Sequence, residues 1–102
     1  YGDLGDHNKA LEFKQKALKI WEKVLPENHP FIASSCSNIA FTLVKLGQFE
    51  KALPYIQRAV TIGARSLPEG HPHTENYRKG MKIIEHCCKL QEMGIEFRNP
   101  FL

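Results

Sequence analysis

The chain has 102 residues, of which 42% are hydrophobic and 25% are charged; this composition is that of one soluble domain and excludes a disordered or collagen-like chain. It contains no run of about 18 apolar residues that could cross a membrane, and its first residues lack the basic start and apolar core of a signal peptide. The net charge of +3 comes without a recognition motif or a block of like charge, which favours a solvated helix surface over nucleic-acid binding.

The segment from Leu46 to Leu53 is a near copy of the segment from Leu4 to Leu11, at an offset of 42 residues. The same offset relates ten identical pairs: Gly5/Gly47, Lys9/Lys51, Ala10/Ala52, Leu11/Leu53, Ala17/Ala59, Leu25/Leu67, Pro26/Pro68, Glu27/Glu69, His29/His71 and Pro30/Pro72. A fixed period of this size is typical of stacked helical units, each of which buries its apolar face only against its neighbours. Because the chain lacks an initial Met and starts within a repeat, we expect it to be a piece of a longer protein.

The pattern predicts a first helix over residues 6–25. Its apolar residues recur at helical spacing and form one predicted buried stripe: Ala10, Leu11, Ala17, Leu18, Trp21, Val24 and Leu25. We expect Asp6 to be the N-cap, and Pro26 cannot continue the helix.

Two further helices are predicted over residues 30–46 and 49–67, joined by a short turn that makes them antiparallel. Pro30 suits the first helical position, and Gly47 suits the left-handed residue that ends a helix. The predicted buried residues of the second helix are Ile32, Ala33, Cys36, Ile39, Ala40, Leu43 and Leu46. Those of the third are Phe49, Ala52, Leu53, Ile56, Ala59, Val60 and Ile62.

A fourth helix is predicted over residues 72–92, and here the repeat changes. Lys82 stands where the preceding repeat has Ala40, so this helix is expected to cap the array with a polar outer side. Tyr77, Met81, Ile84, Cys88 and Ile83 are the candidates for its inner side. We therefore expect a helical repeat domain at residues 1–93 (a partial repeat 1–29, a full repeat 30–71 and a terminal helix 72–93), followed by a tail at 94–102 that is either disordered or laid across a groove.

The spacing of large and small residues in the full repeat resembles that of tetratricopeptide repeats. The residues that carry this resemblance are Ile39, Ala40, Leu43, Gly47, Phe49, Ala52, Ile56 and Ala59. The 42-residue period and the repeated linker from Leu25 to Pro30 and from Leu67 to Pro72 look like the kinesin-light-chain type. The resemblance implies an all-α, right-handed solenoid of antiparallel helix hairpins, with about four helices here and a C-terminal capping helix.

The resemblance also implies a non-catalytic scaffold that binds a short peptide or a partner helix in a concave groove. By resemblance, the residues lining this groove would be Ser34, Ser37, Asn38, Phe41, Lys45, Asn76, Lys79 and Ile83. An Asn at the position of Asn38 commonly hydrogen-bonds the backbone of a bound peptide, although it could instead bond only a neighbouring helix. The alternative functions are a structural segment that stacks within a larger protein and, resting on charge alone, nucleic-acid binding.

Side chains that could carry chemistry do not form a recognisable catalytic or metal-binding motif. Consecutive residues on a helix, such as His86, Cys87 and Cys88, cannot close a tetrahedral metal shell together; we expect one of these thiols to pack inward and the rest to be exposed. Cys36 is expected to fill space in the core. The absence of C-x-x-C favours reduced thiols in an intracellular, cytoplasmic protein, and His29 and His71 are expected to have structural roles in the linkers. The sequence thus predicts no enzyme activity, no cofactor and no metal.

One apolar face of the first helix has no partner within the chain, because its own repeat is incomplete. We expect this face, assigned to Ala10, Leu11, Leu18 and Trp21, to drive formation of a homodimer or to be covered by the tail around Phe97 and Phe101. No membrane partner is expected.

Overall fold

Four α-helices make up the regular structure of the part of the chain that is described here. The computed structural model describes residues 4–94 and contains α1 (Leu4–Val24), α2 (Pro30–Lys45), α3 (Phe49–Ser66) and α4 (Pro72–Glu92). No strand occurs among these residues. Each helix packs on the next one along the chain, and the short linkers make neighbours antiparallel. The prediction of four helices is confirmed, with ends that differ by one or two residues; the predicted tail lies almost entirely outside the described residues.

The two long linkers, between α1 and α2 and between α3 and α4, have the same backbone geometry. The amide of His29 donates to the carbonyl of Pro26, and the amide of His71 donates to that of Pro68, both at 3.1 Å. The third residue of each turn has a positive φ: 67° at Asn28 and 77° at Gly70. Asn and Gly are the residues that adopt this conformation most readily, so both linkers form the same turn although one has Asn and the other Gly at this position.

His29 and His71 begin the helices that follow these linkers. Each is an N-cap whose Nδ1 accepts a hydrogen bond, at 3.1 Å, from the amide two residues later, at Phe31 and His73 respectively. The prolines that follow occupy the first helical turn, where a missing amide costs nothing. Both histidines therefore satisfy an amide that the helix leaves unpaired, which confirms the predicted structural role.

Gly47 ends α2 in the left-handed conformation, as predicted, with a φ of 76°. Its amide donates to the carbonyl of Val44, and the amide of Gln48 donates to that of Leu43, both at 2.9 Å. These two bonds form a Schellman motif. The chain then enters α3 at Phe49, so α2 and α3 form a tight hairpin.

The core lies mainly between α2, α3 and α4. The largest of its fully buried side chains are Ile32, Cys36, Ile39, Leu43, Val44, Ile56 and Ile84, each with a relative exposure of 2% or less. Of the predicted inner residues of the two central helices, only Leu46, Leu53 and Val60 are half-buried rather than buried. The repeat pattern thus predicts most of the packing of the α2–α3 hairpin.

The predictions for α1 need three corrections. Asp6 is not the N-cap, because the helix already begins at Leu4; Asp6 lies in its first turn, where a carboxylate favours the helix dipole. Val24 and Trp21, both predicted to be buried, are 64% and 37% exposed. The apolar face that stays open also differs from the predicted one. Leu18 was assigned to the open face, but it is only 5% exposed and packs into the core.

Lys14 on α1 occupies the position that the fully buried Ile56 has in α3. Its Nζ donates to Oγ1 of Thr42 at 2.9 Å, and that hydroxyl donates in turn to the carbonyl of Asn38. The aliphatic part of the lysine can therefore cover apolar surface while its charge has a polar partner, and α1 packs on α2 without a large apolar residue at this place.

Cys87 and Cys88 are both buried, at 3% and 6% exposure, so the prediction that only one thiol packs inward is wrong. Residues adjacent on a helix differ by about 100° in direction. Helix α4 packs on α3 and also contacts α2 through Gly80. Its buried side is therefore wide enough to include both thiols.

Candidate functional site

Two contacts bring α2 and α4 side by side. The hydroxyls of Ser34 on α2 and Tyr77 on α4 are hydrogen-bonded; burial raises the pKa of Tyr77, and this hydrogen bond acts in the opposite direction. The ring of Phe41 lies against Gly80, where an added Cβ would stand only 2.9 Å from the Cζ of Phe41. Glycine inside a helix costs about 1 kcal/mol relative to alanine, so the close approach of the ring explains why the position lacks a side chain.

These contacts place most of the predicted groove residues on one continuous surface. We define the α2–α4 surface as Ser34, Asn38, Phe41 and Lys45 of α2 together with Asn76, Lys79 and Ile83 of α4. Phe41 is half-buried and the others are exposed. Their spacing of three and four residues keeps each set on one side of its helix.

Ser37 does not belong to this surface, although it was predicted to line the groove. It is 6% exposed, because it lies one helical turn after Ala33 and one turn before Ala40, which are both fully buried. Its hydroxyl therefore faces the core side of α2 and is not presented to solvent.

Asn38 has a free side chain at the centre of the surface. The residue is exposed, and among the residues that the structure describes its carboxamide has no hydrogen-bond partner; only its backbone carbonyl accepts, from Thr42. A carboxamide offers two donor hydrogens and an acceptor oxygen, which match the carbonyl and amide of an extended peptide. The alternative in which Asn38 only bonds a neighbouring helix is not what the structure shows.

The charge of the surface comes from Lys45 and Lys79. Both are exposed, and neither forms an ion pair with the residues described here, where the ion pairs are Arg58 with Glu22 and Arg78 with Glu75. The surface thus combines hydrogen-bonding amides, two positive charges and the apolar side chains of Phe41 and Ile83.

The cleft between α1 and α3 was not anticipated from the sequence. It has a volume of about 450 Å³, and the ion pair between Glu22 and Arg58, 2.9 Å apart, crosses from one helix to the other. Its lining residues are Gln15, Leu18, Lys19, Glu22, Tyr55 and Arg58. Glu22 and Arg58 are not equivalent positions of the repeat, so the period could not reveal the pair.

The cysteines are poor candidates for chemistry. Burial raises the pKa of Cys36, and the nearby Arg58 guanidinium only partly opposes this. Burial also raises the pKa of Cys87 and Cys88. A thiol is a nucleophile only when deprotonated, so these three are held in the unreactive form. Residues 4–94 contain no group of three or more His, Cys, Asp or Glu residues placed to hold a metal ion.

No helix in the described part of the chain is long and apolar enough to cross a membrane.

Comparison with known proteins agrees with the helical repeat. The model of a family described as tetratricopeptide repeat matches residues 1–63, which is more than half of the chain. No curated protein and no solved structure shows a significant match. Tetratricopeptide repeats generally mediate protein–protein interactions and are generally non-catalytic. With its 42-residue period and its hairpin of α2 and α3, the chain belongs to the tetratricopeptide repeat family.

Proposed function

We propose that the chain is a non-catalytic interaction scaffold of the kinesin-light-chain type, and that it binds a short peptide or a partner helix on the α2–α4 surface. In this proposal the helices continue a right-handed solenoid, the α2–α4 surface is its concave side, and the protein acts in the cytoplasm. The observation that carries the proposal is the exposed Asn38 carboxamide without an internal partner.

The neighbours of Asn38 support a peptide as the ligand. The half-buried ring of Phe41, which lies against Gly80, and the 42% exposed Ile83 offer apolar contacts. Lys45 and Lys79 add two positive charges that favour an acidic peptide or a C-terminal carboxylate. Because the surface is open rather than enclosed, we expect the affinity of this segment alone to be weak.

A peptide array tests the proposal. The intact chain is applied to tiled peptides of varied charge, and the peptides that bind are measured in solution by fluorescence anisotropy. The variant Asn38→Ala should weaken these peptides by about three- to tenfold, the effect of losing one or two hydrogen bonds. Lys45→Glu should weaken the acidic peptides more than the neutral ones.

The controls are matched substitutions on α3. Gln57→Ala removes an exposed carboxamide and Lys51→Glu reverses an exposed charge, but both residues lie away from the α2–α4 surface. Binding that falls equally with the control substitutions, or is unchanged by Asn38→Ala and Lys45→Glu, would contradict the proposal. The second outcome would favour the alternative of a structural segment that only stacks within a larger protein.

A further inference from the structure

The cleft between α1 and α3 is lined mainly by side chains that donate hydrogen bonds. Lys19 and Arg58 carry positive charges, and Gln15 and Tyr55 add an amide and a hydroxyl. Of the described residues that line the cleft, Glu22 alone is negatively charged. The volume of about 450 Å³ is within the range of small-molecule sites. The excess of donors favours a ligand that is rich in acceptor oxygens.

Three of these donor groups have no partner within the described part of the chain. Lys19 forms no ion pair there, and the side chains of Gln15 and Tyr55 form no hydrogen bond. Gln15 and Tyr55 are both half-buried, so only part of their polar surface is open to water. A ligand in the cleft can therefore pair with donors that the fold itself leaves open.

Arg58 is held in position from the floor of the cleft. Its guanidinium donates a hydrogen bond to the Sγ of Cys36 on α2, a residue that is fully buried. A guanidinium carries five N–H donors in one rigid plane, so the contacts with Cys36 and Glu22 leave further donors for a ligand. The contact with Cys36 does not involve Glu22, and it can fix the guanidinium when Glu22 moves away.

Glu22 is attached to Arg58 by a contact that a stronger anion can replace. The two groups are 2.9 Å apart, but their side chains are 38% and 40% exposed, and ion pairs this exposed are weak. Once displaced, the carboxylate of Glu22 can turn outward into solvent. The Glu22–Arg58 pair then acts as a closure of the cleft that opens when an anion binds Arg58.

The position of Glu22 also selects the charge of the ligand. Because Glu22 is tethered next to Arg58, its effective concentration there is high, and a free carboxylate of the same charge gains nothing by replacing it. A phosphate monoester carries close to two negative charges and three acceptor oxygens near neutral pH. It matches the charges of Arg58 and Lys19 together, and a guanidinium binds phosphate through two parallel hydrogen bonds.

We propose that the cleft between α1 and α3 is a binding site for a phosphate monoester. The phosphate replaces Glu22 on Arg58 and is contacted by Lys19, while the organic group lies on the ring of Tyr55. This site is separate from the α2–α4 surface. Cys36, which contacts Arg58, and Asn38 are two residues apart on α2, so their side chains point about 200° apart around the helix.

Phenyl phosphate is the probe for this site, and benzoate is its monoanionic control with the same aromatic ring. Each is titrated into the intact, isotopically labelled chain at about pH 7.5, where the phosphate is mainly dianionic. We expect phenyl phosphate to shift the amide resonances of residues 15–22 and 55–58, with a millimolar Kd at least about fivefold lower than that of benzoate. No shift of these resonances at about 20 mM phenyl phosphate, or equal binding of benzoate, would overturn the proposal.

Substitutions of Glu22 and Arg58 should act in opposite directions. Glu22→Gln removes the competing carboxylate, so it should strengthen the binding of phenyl phosphate by about three- to tenfold. Arg58→Lys keeps the charge but loses the planar pair of donors, so it should weaken binding by about tenfold. If the pair served only to hold α1 and α3 together, both substitutions would disturb the same contact and change the affinity in the same direction. That outcome would overturn the proposal.

The exposed ion pair between Glu75 and Arg78 on α4, 3.1 Å apart, supplies matched controls. Glu75→Gln and Arg78→Lys change the net charge in the same way as Glu22→Gln and Arg58→Lys, but they should leave the affinity for phenyl phosphate unchanged. An equal gain in affinity from Glu75→Gln and Glu22→Gln would mean that net charge alone attracts the phosphate, and it would overturn the proposal.

A phosphate monoester can come from a small molecule or from a phosphorylated side chain, and the same titration distinguishes the two sources. A short alanine peptide with a central phosphotyrosine presents the same aryl phosphate on a polypeptide backbone. Tighter binding of this peptide than of phenyl phosphate would support the site and assign it to a phosphorylated protein. Equal or weaker binding of the peptide would support the site and assign it to a free organic phosphate.

Discussion

Thr74 near the start of α4 has a buried hydroxyl, and within the described residues its Oγ1 is the buried side-chain atom that lacks a hydrogen-bond partner. The equivalent residue one repeat earlier is Ile32, which is 1% exposed, so the site accepts a β-branched apolar side chain. An unpaired buried hydroxyl costs about 1–3 kcal/mol. We expect Thr74→Val to raise the free energy of unfolding by about 1 kcal/mol, measured by urea denaturation.

Gly63 provides the control for this prediction. An added Cβ at Gly63 would lie 2.8 Å from Oγ1 of Thr74, so Gly63→Ala should destabilise the protein by overpacking. The Gly63→Ala substitution should destabilise the protein less when Thr74 is also replaced by alanine. An unchanged or lowered stability of Thr74→Val would mean that the hydroxyl has a partner, such as a bound water.

The N-caps of α2 and α4 are expected to contribute to the stability of the helices that they begin. Replacing His29 or His71 with alanine removes the Nδ1 acceptor that pairs with an amide of the first turn. Each substitution should cost about 1 kcal/mol, whereas His29→Asp and His71→Asp should retain most of the stability because Asp is a strong N-cap residue. Thermal unfolding followed by circular dichroism measures the difference.

His86→Ala is the control for the capping substitutions, because His86 is exposed in the middle of α4. It should change the free energy of unfolding by less than about 0.5 kcal/mol. A loss in His86→Ala as large as that in the cap variants, or equal losses in the aspartate and alanine variants, would contradict the capping role.

The repeat predicts much of each helix, because equivalent residues share one environment. His29 has the same capping geometry as His71, and Asn28 has the same positive φ as Gly70. An offset of 42 residues was therefore enough to identify the starts of α2 and α4 and the turns that precede them. The α2–α3 core follows for the same reason. The family resemblance predicted that Ser34, Ser37, Asn38, Phe41 and Lys45 of α2 would share one surface. The structure buries Ser37, whose small side chain gives no signal in the sequence of which way it faces.

Periodicity fails for α1 because this helix has two apolar stripes. Leu11, Leu18 and Leu25 recur every seven residues, and so do Phe13 and Ile20, but only the first set packs toward the core. The hydrophobic pattern cannot tell which stripe faces a neighbouring helix. The structure decides this through contacts between distant residues, such as the bond from Lys14 to Thr42.

Because the three thiols are buried, the stability of the whole domain is expected to fall at alkaline pH. Burial raises the pKa of Cys36, Cys87 and Cys88 above the ordinary value of 9.0. Above about pH 9 the unfolded state loses thiol protons that the folded state retains, so the free energy of unfolding falls as the pH rises. We expect urea denaturation to show lower stability at about pH 10 than at about pH 7.5.

The cysteine-free variant with Cys36→Ala, Cys87→Ala and Cys88→Ala is the control for this pH dependence. It should be less stable at neutral pH, because it loses buried volume, but its stability should fall less between the two pH values. A fall as steep as that of the original protein would assign the alkaline loss to other groups, such as Tyr77, whose pKa is also raised by burial.

The outer side of α1 carries exposed apolar residues (Phe13, Ile20 and Val24) beside a row of exposed lysines (Lys9, Lys16 and Lys23), and the two sets make opposite contributions to self-association. The apolar side chains of Phe13, Ile20 and Val24 favour contact between copies, at about 25 cal/mol per Å² of apolar area removed from water. The charges of Lys9, Lys16 and Lys23 oppose it. Salt weakens only the second contribution, because the screening length falls from about 30 Å at 0.01 M to about 3 Å at 1 M.

We therefore expect sedimentation equilibrium to show a monomer at about 0.01 M sodium chloride and increasing self-association toward about 1 M. Ile20→Asp should remain monomeric at both concentrations, since it places a charge in the centre of the apolar side. Replacing Lys9, Lys16 and Lys23 with glutamine should permit association already at low salt, because the repulsion is removed while the apolar side of α1 is kept. Association that is strongest at low salt would mean that ion pairs, rather than the apolar side of α1, bring copies of the chain together.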